Sequence, residues 1–209
     1  MFYLVKTPWW LKRIYSRLIW SIPAKERVLY LTFDDGPNPL ATPFVLDELK
    51  KYDAAATFFC IGKNVEEYPN IYRRILMEGH RVGNHTHNHL NGWKTDDRKY
   101  LENIRSAARL IDSNLFRPPY GRIGNLQSAM LRGEPFNYKI IMWEVLSGDF
   151  DAELNGQQCM RNVVRHARRG SVVVFHDSEK AWNRLRVALP AVLEHFHKKG
   201  YHFEAIALK

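Results

Sequence analysis

Apolar residues along this chain gather into short unbroken runs, and between the runs they recur at helical spacing. The clearest run, Val28-Leu29-Tyr30-Leu31-Thr32-Phe33, shows little polar alternation. That is the pattern of a strand buried on both faces. Comparable runs over 55–61, 80–84, 115–117, 138–143 and 171–175 predict further strands, with a last one near 202–206. Helices are predicted over 43–51, 69–77, 97–111 and 157–168; the third places Tyr100, Ile104, Ala107 and Ile111 on one side. A final helix carries Leu185, Ala188, Leu189, Val192, Leu193 and Phe196 and ends at Gly200. Strand–helix alternation with continuous apolar strands predicts an α/β fold, a parallel sheet covered by helices. No linker, internal repeat or low-complexity segment divides 28–209, so one domain is expected there.

The first 27 residues break this rhythm. They are rich in aromatics (Trp9, Trp10, Tyr15, Trp20) and dotted with Lys6, Lys12, Arg13 and Arg17. Thr7-Pro8 predicts a helix start, with Thr7 as cap and Pro8 at the first helical position. Trp10, Ile14 and Leu18 would then share one face. Such a helix could lie on a membrane surface, but packing of its aromatics across the bottom of its own domain is the expectation here. The segment lacks the apolar core and small-residue cleavage site of a leader, and it is too interrupted to span a bilayer. As it stands, the chain is expected in the cytoplasm or on a membrane's inner face.

Bulk properties narrow the picture modestly. A chain of 209 residues with 45% apolar and 25% charged residues suits one globular domain and excludes disorder. The formal charge of +9 favours anionic surroundings. Its basic residues are spread along the chain with no nucleic-acid-binding module among them, so no nucleic-acid partner is expected. Two cysteines, Cys60 and Cys159, are too few for a disulfide framework, and Cys60 reads as a small buried apolar residue.

The chemistry clusters where strands end. The first run stops at Asp34-Asp35, and Gly36-Pro37 then turns the backbone. Adjacent carboxylates near a core repel each other and call for a cation. The run His85-Thr86-His87-Asn88-His89 suggests a metal. Two histidines four apart on a helical turn face the same way and, with one carboxylate, make an Asp/His/His set. Three protein ligands leave room for water, as in a catalytic zinc site. Arg117-Pro118-Pro119-Tyr120, Asp149 and His176-Asp177 also follow strands, at the end where parallel α/β folds build active sites. Aspartate before glycine is also common in ordinary turns. His87, His195, His197 and His202 read as exposed or packing residues, and Asp177 as a loop-orienting one.

In order, Thr32-Phe33-Asp34-Asp35-Gly36-Pro37, His85-Thr86-x-x-His89, Arg117-Pro118-Pro119-Tyr120-Gly121, Asp149 and His176-Asp177 resemble the five motifs of the polysaccharide deacetylases, carbohydrate esterase family four, the NodB-homology domain. The resemblance implies a distorted barrel of about seven parallel strands with outer helices. It also implies removal of N-acetyl groups from amino-sugar glycans such as peptidoglycan or N-acetylglucosamine polymers. Asp35, His85 and His89 would bind a divalent metal, zinc foremost, with cobalt, nickel or manganese as alternatives. Asp34 would be the base, oriented by Arg117, and His176 the acid, its pKa raised by Asp149. The Tyr120 N–H would face the oxyanion, on a loop held by Pro118 and Pro119, while Val174 and Phe150 would line the substrate groove.

Three departures bear on substrate choice. Leu146 stands where the family's fourth motif usually carries an acid, with Glu144 as a candidate replacement; Phe150 stands where tryptophan is common, and Val174 where leucine is common. Two other functions are consistent with the residues: a deacylase or deformylase of a lipid-linked amino sugar, motivated by the aromatic, basic N-terminal segment, and a carbohydrate-binding relative without activity. Retention of Asp34, Asp35, His85, His89, Arg117 and His176 together argues against the latter, because binding alone requires neither base nor acid.

Overall fold

The structure, a computed structural model, describes residues 3–208. Eight strands are present among them: β1 (Val28–Asp34), β2 (Thr57–Cys60), β3 (Arg81–Asn84), β4 (Leu115–Phe116), β5 (Lys139–Ile140), β6 (Val145–Leu146), β7 (Val172–His176) and β8 (His202–Phe203). Seven of them lie in the order β5-β4-β3-β2-β1-β7-β6, all neighbours parallel, and β8 pairs with the foot of β1. The sheet curls into a half-barrel.

Around it run α1 (Trp9–Ile14), α2 (Ala41–Lys50), α3 (Gly62–Glu67), α4 (Pro69–Met77), α5 (Asp97–Ala108), α6 (Asn125–Arg132), α7 (Gly156–His166) and α8 (Trp182–Lys198). The expected helix over 69–77 is α4, and the others agree within a few residues. The short α3 and α6 are additional. The strand expected over 138–143 is only the two residues of β5, and β6 is a separate strand.

Alternation along β1 divides the interior in two. Leu29, Leu31 and Phe33 face outward and pack with Val45 and Leu46 of α2, Val163 of α7 and Leu185 and Leu189 of α8. Each such buried side chain contributes roughly 1.5–3 kcal/mol. Val28 and Tyr30 face inward, where they pack with Phe59, Leu115, Ile141 and Val172. Higher on the same inward face come Thr32 and Asp34, and the polar layer of the barrel begins there. Cys60 and Cys159 are buried free thiols.

The N-terminal segment behaves differently from its expectation. Its helix is six residues long and buries none of them. Pro8, rather than Thr7, is the residue before the helix. The Thr7 hydroxyl donates instead to the Trp143 carbonyl at 2.8 Å. Trp9, Trp10 and Ile14 are exposed, and burial falls to Leu18 and Trp20 beyond the helix.

The segment instead serves as a strap across the sheet's two ends. The Leu146 N–H donates to the Val5 carbonyl at 2.8 Å and the Thr7 N–H to Glu144 at 2.9 Å, along β6. The Ile19 N–H donates to Ile140 at 2.9 Å, and the Met142 N–H donates to Ile19 at 2.7 Å, along the continuation of β5.

The strap then reaches Gly170, whose carbonyl accepts from the Ile22 N–H at 2.8 Å. Gly170 has φ +81°, and a Cβ there would stand 2.2 Å from the Ile22 carbonyl oxygen. Only glycine meets both demands. Gly170→Ala is therefore expected to lower stability by about 2 kcal/mol or more. An unchanged urea midpoint would contradict this.

Candidate active site

Strand β1 ends at Asp34, and the turn behind it is fixed from β7. The Gly36 N–H and the Thr42 hydroxyl donate to the two carboxylate oxygens of Asp177, at 3.1 and 2.5 Å. Asp177 thus orients the loop. Burial pushes its carboxyl up to about 8, against the donated Thr42 hydrogen bond. Asp34, 4% exposed, meets a fully buried Arg117 whose Nη1 donates to Asp34 Oδ1 at 2.6 Å and to Thr32 Oγ1 at 2.7 Å. Its other two nitrogens are also bonded, Nε to the Ile141 carbonyl and Nη2 to the Met142 carbonyl. Its guanidinium lies 4.1 Å from the centre of the Phe59 ring. Burial pulls the Arg117 pKa below its usual range, and Asp34 opposes this.

Asp35, His85 and His89 converge beside this pair. One ligand atom from each lies within 4.8 Å of the other two. The Nδ1 of His85 donates to the Arg117 carbonyl at 2.7 Å, which leaves its Nε2 3.7 Å from Asp35 Oδ1. The Nε2 of His89 lies 3.1 Å from the same oxygen. Burial pushes His85 down to about 4, so its ring is in the neutral, ligating form. Asp35 Oδ1 is buried with no hydrogen-bond partner of good geometry. A carboxylate oxygen and two imidazole nitrogens facing one point fit a divalent cation.

The histidines sit on a loop, not on the helical turn expected from their spacing. Within this loop Thr86 and His89 take left-handed backbone conformations (φ +64° and +54°). His87 stays outside the cluster and faces Glu66 at 3.7 Å. Asp35 (φ +80°) and Tyr120 (φ +61°) are also left-handed. Four of the six non-glycine residues with this geometry among the described residues therefore belong to this site and its loops. Held backbone strain of this kind concentrates where function requires it.

His176 lies directly opposite Asp34 in the β1–β7 register. Its Nδ1 and its backbone N–H both donate to Asp149, each at 2.8 Å. Burial disfavours the imidazolium, but the charge and hydrogen bond of Asp149 outweigh it and raise the pKa to about 9. Arg184 steadies Asp149 from α8, donating to its carbonyl at 2.6 Å. Phe150 sets its ring edge against His176, with centroids 5.3 Å apart. Val174 lies two residues below His176 on the same face of β7 and is 1% exposed.

Pro118 and Pro119 are buried, and the N–H groups of Gly121 and Arg122 donate back to their carbonyls. The Tyr120 N–H is absent from the loop's backbone bonds. Its hydroxyl pairs with His89 Nδ1 at 3.1 Å.

Glu144 does not replace the carboxylate missing at Leu146. It is bound by Lys12 at 2.6 Å, Arg168 at 2.8 Å and Ser171 at 2.7 Å, among the strap's contacts. Three supporting residues were not evident from the sequence. Asn84 accepts from the Thr86 N–H at 2.8 Å and so shapes the histidine loop. Its position directly before His85 was the available signal. Tyr3 packs on Phe150 and donates to Asp151 at 2.9 Å. Arg184 lies on the outer helix, and nothing in its local sequence marks it.

Known proteins share this arrangement. The family model described as polysaccharide deacetylase matches residues 21–132. A peptidoglycan-N-acetylglucosamine deacetylase of Bacillus cereus is 34% identical over 194 residues, covering 90% of each chain. A chitooligosaccharide deacetylase of Azorhizobium caulinodans is 32% identical over 167 residues, 75% of this chain and 76% of that one. The crystal structure of a peptidoglycan N-acetylglucosamine deacetylase bound to an N-oxidanyl-benzamide superposes with a TM-score of 0.85 at 32% identity, over 96% of this chain and 95% of that one. With the sheet order, the Asp/His/His cluster and these matches in agreement, the chain belongs to the polysaccharide deacetylase family.

Proposed function

We propose that this protein hydrolyses the N-acetyl amide of amino sugars in peptidoglycan, with Asp34 as base and His176 as acid. The observation that carries the reading is the pair of oriented titratable groups beside the metal-type cluster: Asp34 fixed by Arg117 and His176 fixed by Asp149. Asp35, His85 and His89 would hold a divalent metal, zinc by its donor set, which when bound polarises the amide carbonyl and acidifies water. Asp34 takes the proton of the attacking water, and Arg117 keeps that carboxylate aimed. The Tyr120 N–H stabilises the charge that develops on the carbonyl oxygen. His176, held with Nδ1 on Asp149, presents Nε2 to the departing amine and protonates it. The products are acetate and a glycan with a free amine.

Peptidoglycan is favoured because the relatives named above include enzymes acting on it. The test is acetate release by the zinc-loaded protein from peptidoglycan and, in parallel, N-acetylglucosamine oligomers, against an Asp34→Asn blank. Release from neither would refute the reading. Asp34→Asn is expected to lose turnover and keep its metal, whereas His85→Ala loses both. Metal content of the purified variants checks this, and a metal-free Asp34→Asn protein would reverse the roles of the two aspartates.

A second reading, action on a lipid-linked amino sugar at a membrane surface, draws on the exposed Trp9 and Trp10 beside Arg13. No helix among the described residues is long and apolar enough to cross a membrane. Sedimentation with anionic vesicles, compared between wild type and Trp9→Ala/Trp10→Ala, tests the contact; equal behaviour excludes it.

A further inference from the structure

A cleft of about 520 Å³ lies between the strap and α6. Gly121 forms part of its wall, next to the Tyr120 that pairs with His89, so the cleft adjoins the proposed reaction site. Leu18, Ile123 and Met142 give it an apolar lining. Arg17 and Arg132 also line it, and no acidic side chain does. Neither arginine joins an ion pair among the described residues. Arg132 donates through Nε to the Ser128 carbonyl at 3.2 Å.

Trp93 also borders the cleft. The residue is 65% exposed and yet its ring is fixed, because Nε1 donates to the Ile123 carbonyl at 2.9 Å and the Arg122 guanidinium lies 5.3 Å from the ring centre. A large ring that is already immobilised loses little freedom on binding and offers a flat face to a sugar.

We infer that this cleft is a second binding subsite, which takes a carboxylate-bearing arm, such as a short acidic peptide, attached to the glycan near the sugar undergoing deacetylation. The inference rests on the glycan-deacetylase reading of the adjoining site. Two guanidiniums without carboxylate partners match carboxylates in geometry and charge. The apolar lining suits short methyl-bearing side chains. The volume is that of a small-ligand site, enough for a few residues. Continuity with Gly121 lets one molecule occupy both sites. A fatty acyl chain would match the lining but would leave both cations without a counterpart.

The zinc-loaded full-length protein would be titrated with a disaccharide–tripeptide fragment of peptidoglycan, the same fragment with its carboxylates amidated, and neutral chitotetraose. Acetate release would be followed on the same three. Arg17→Gln/Arg132→Gln is expected to weaken binding of the acidic fragment roughly 10- to 100-fold, as loss of charge-assisted hydrogen bonds predicts, and to raise its KM with kcat held. Affinity for the amidated fragment and for chitotetraose should stay unchanged. Equal weakening on all three, or none on the acidic fragment, would overturn the inference. So would loss of anionic-vesicle binding in the variant with fragment affinity intact, which would assign the arginines to a lipid surface. Charge-selective binding by a protein that releases no acetate from any of the three would support the cleft and refute the deacetylase reading. The two failures are thereby separable.

Discussion

Replacing Arg117 with methionine is expected to destabilise the protein by about 3–5 kcal/mol and to abolish turnover, because it leaves a buried charge without its partner. Arg117 is fully buried and bonds Asp34, Thr32 and the carbonyls of Ile141 and Met142. Methionine fills much of the volume but satisfies none of these acceptors. Asp34 would then lose the donor that aims its carboxylate. Urea unfolding gives the stability change, and acetate release the activity.

Two companions separate charge from shape. Arg117→Lys keeps the charge but not the planar fork, and is expected to recover part of the stability while remaining slow. Asp34→Asn/Arg117→Met should be less damaged in stability than the sum of the single substitutions, since the two groups compensate each other. Strict additivity would show that the pair is not a unit.

The second large effect concerns pH. Asp149→Asn is expected to slow turnover by about 10²–10⁴-fold and to move the basic limb of the rate profile downward by roughly 1–3 pH units. His176 must be protonated to act as an acid, and its pKa, raised to about 9, keeps it so at neutral pH. Without the Asp149 carboxylate, burial prevails and the proton is lost at lower pH. The sign for stability follows from the same shift. The raised pKa contributes stability that is complete below the ordinary histidine range and is lost as pH rises through about 9. Wild type should therefore become less stable along that interval, and Asp149→Asn should lack this dependence. A basic limb unmoved by the substitution would assign the acid to another group.

Much of the architecture was legible in local pattern. The unbroken apolar runs of β1 and β7 and the helical periodicity of α5 and α8 survive because tertiary packing uses those same faces. Tyr100, Ile104, Ala107 and Ile111 are all buried as their spacing predicted. Legibility failed where local preference was overridden at long range. Thr7 looks like a helix cap, yet its hydroxyl reaches Trp143, 136 residues away. The 138–143 run looks like one strand, but only Lys139–Ile140 pair as strand residues with β4, and the opposite edge of the run is taken by Ile19 from the far N-terminal segment. At the site, the residue types were evident and the family resemblance named their partners, while local pattern alone encoded none of the contacts that join them. The Arg117–Asp34 pair spans 83 residues, and no periodicity encodes it. The left-handed backbone at Thr86, inside the histidine loop, contradicts the preference of a β-branched residue.

The strap across the open side of the half-barrel also sets an order of events. Thr7 and Lys12 find their partners, Trp143 and Glu144, 136 and 132 residues later in the chain. During synthesis, which proceeds from the N-terminal side, the strap therefore has nothing to dock on until β5 and β6 have followed it. Closing so long a loop is slow, and its entropy must be met before any contact rewards it. Docking of the strap is thus a late, sealing step of folding, and weakening its latch at Glu144 would lower the yield of folded protein.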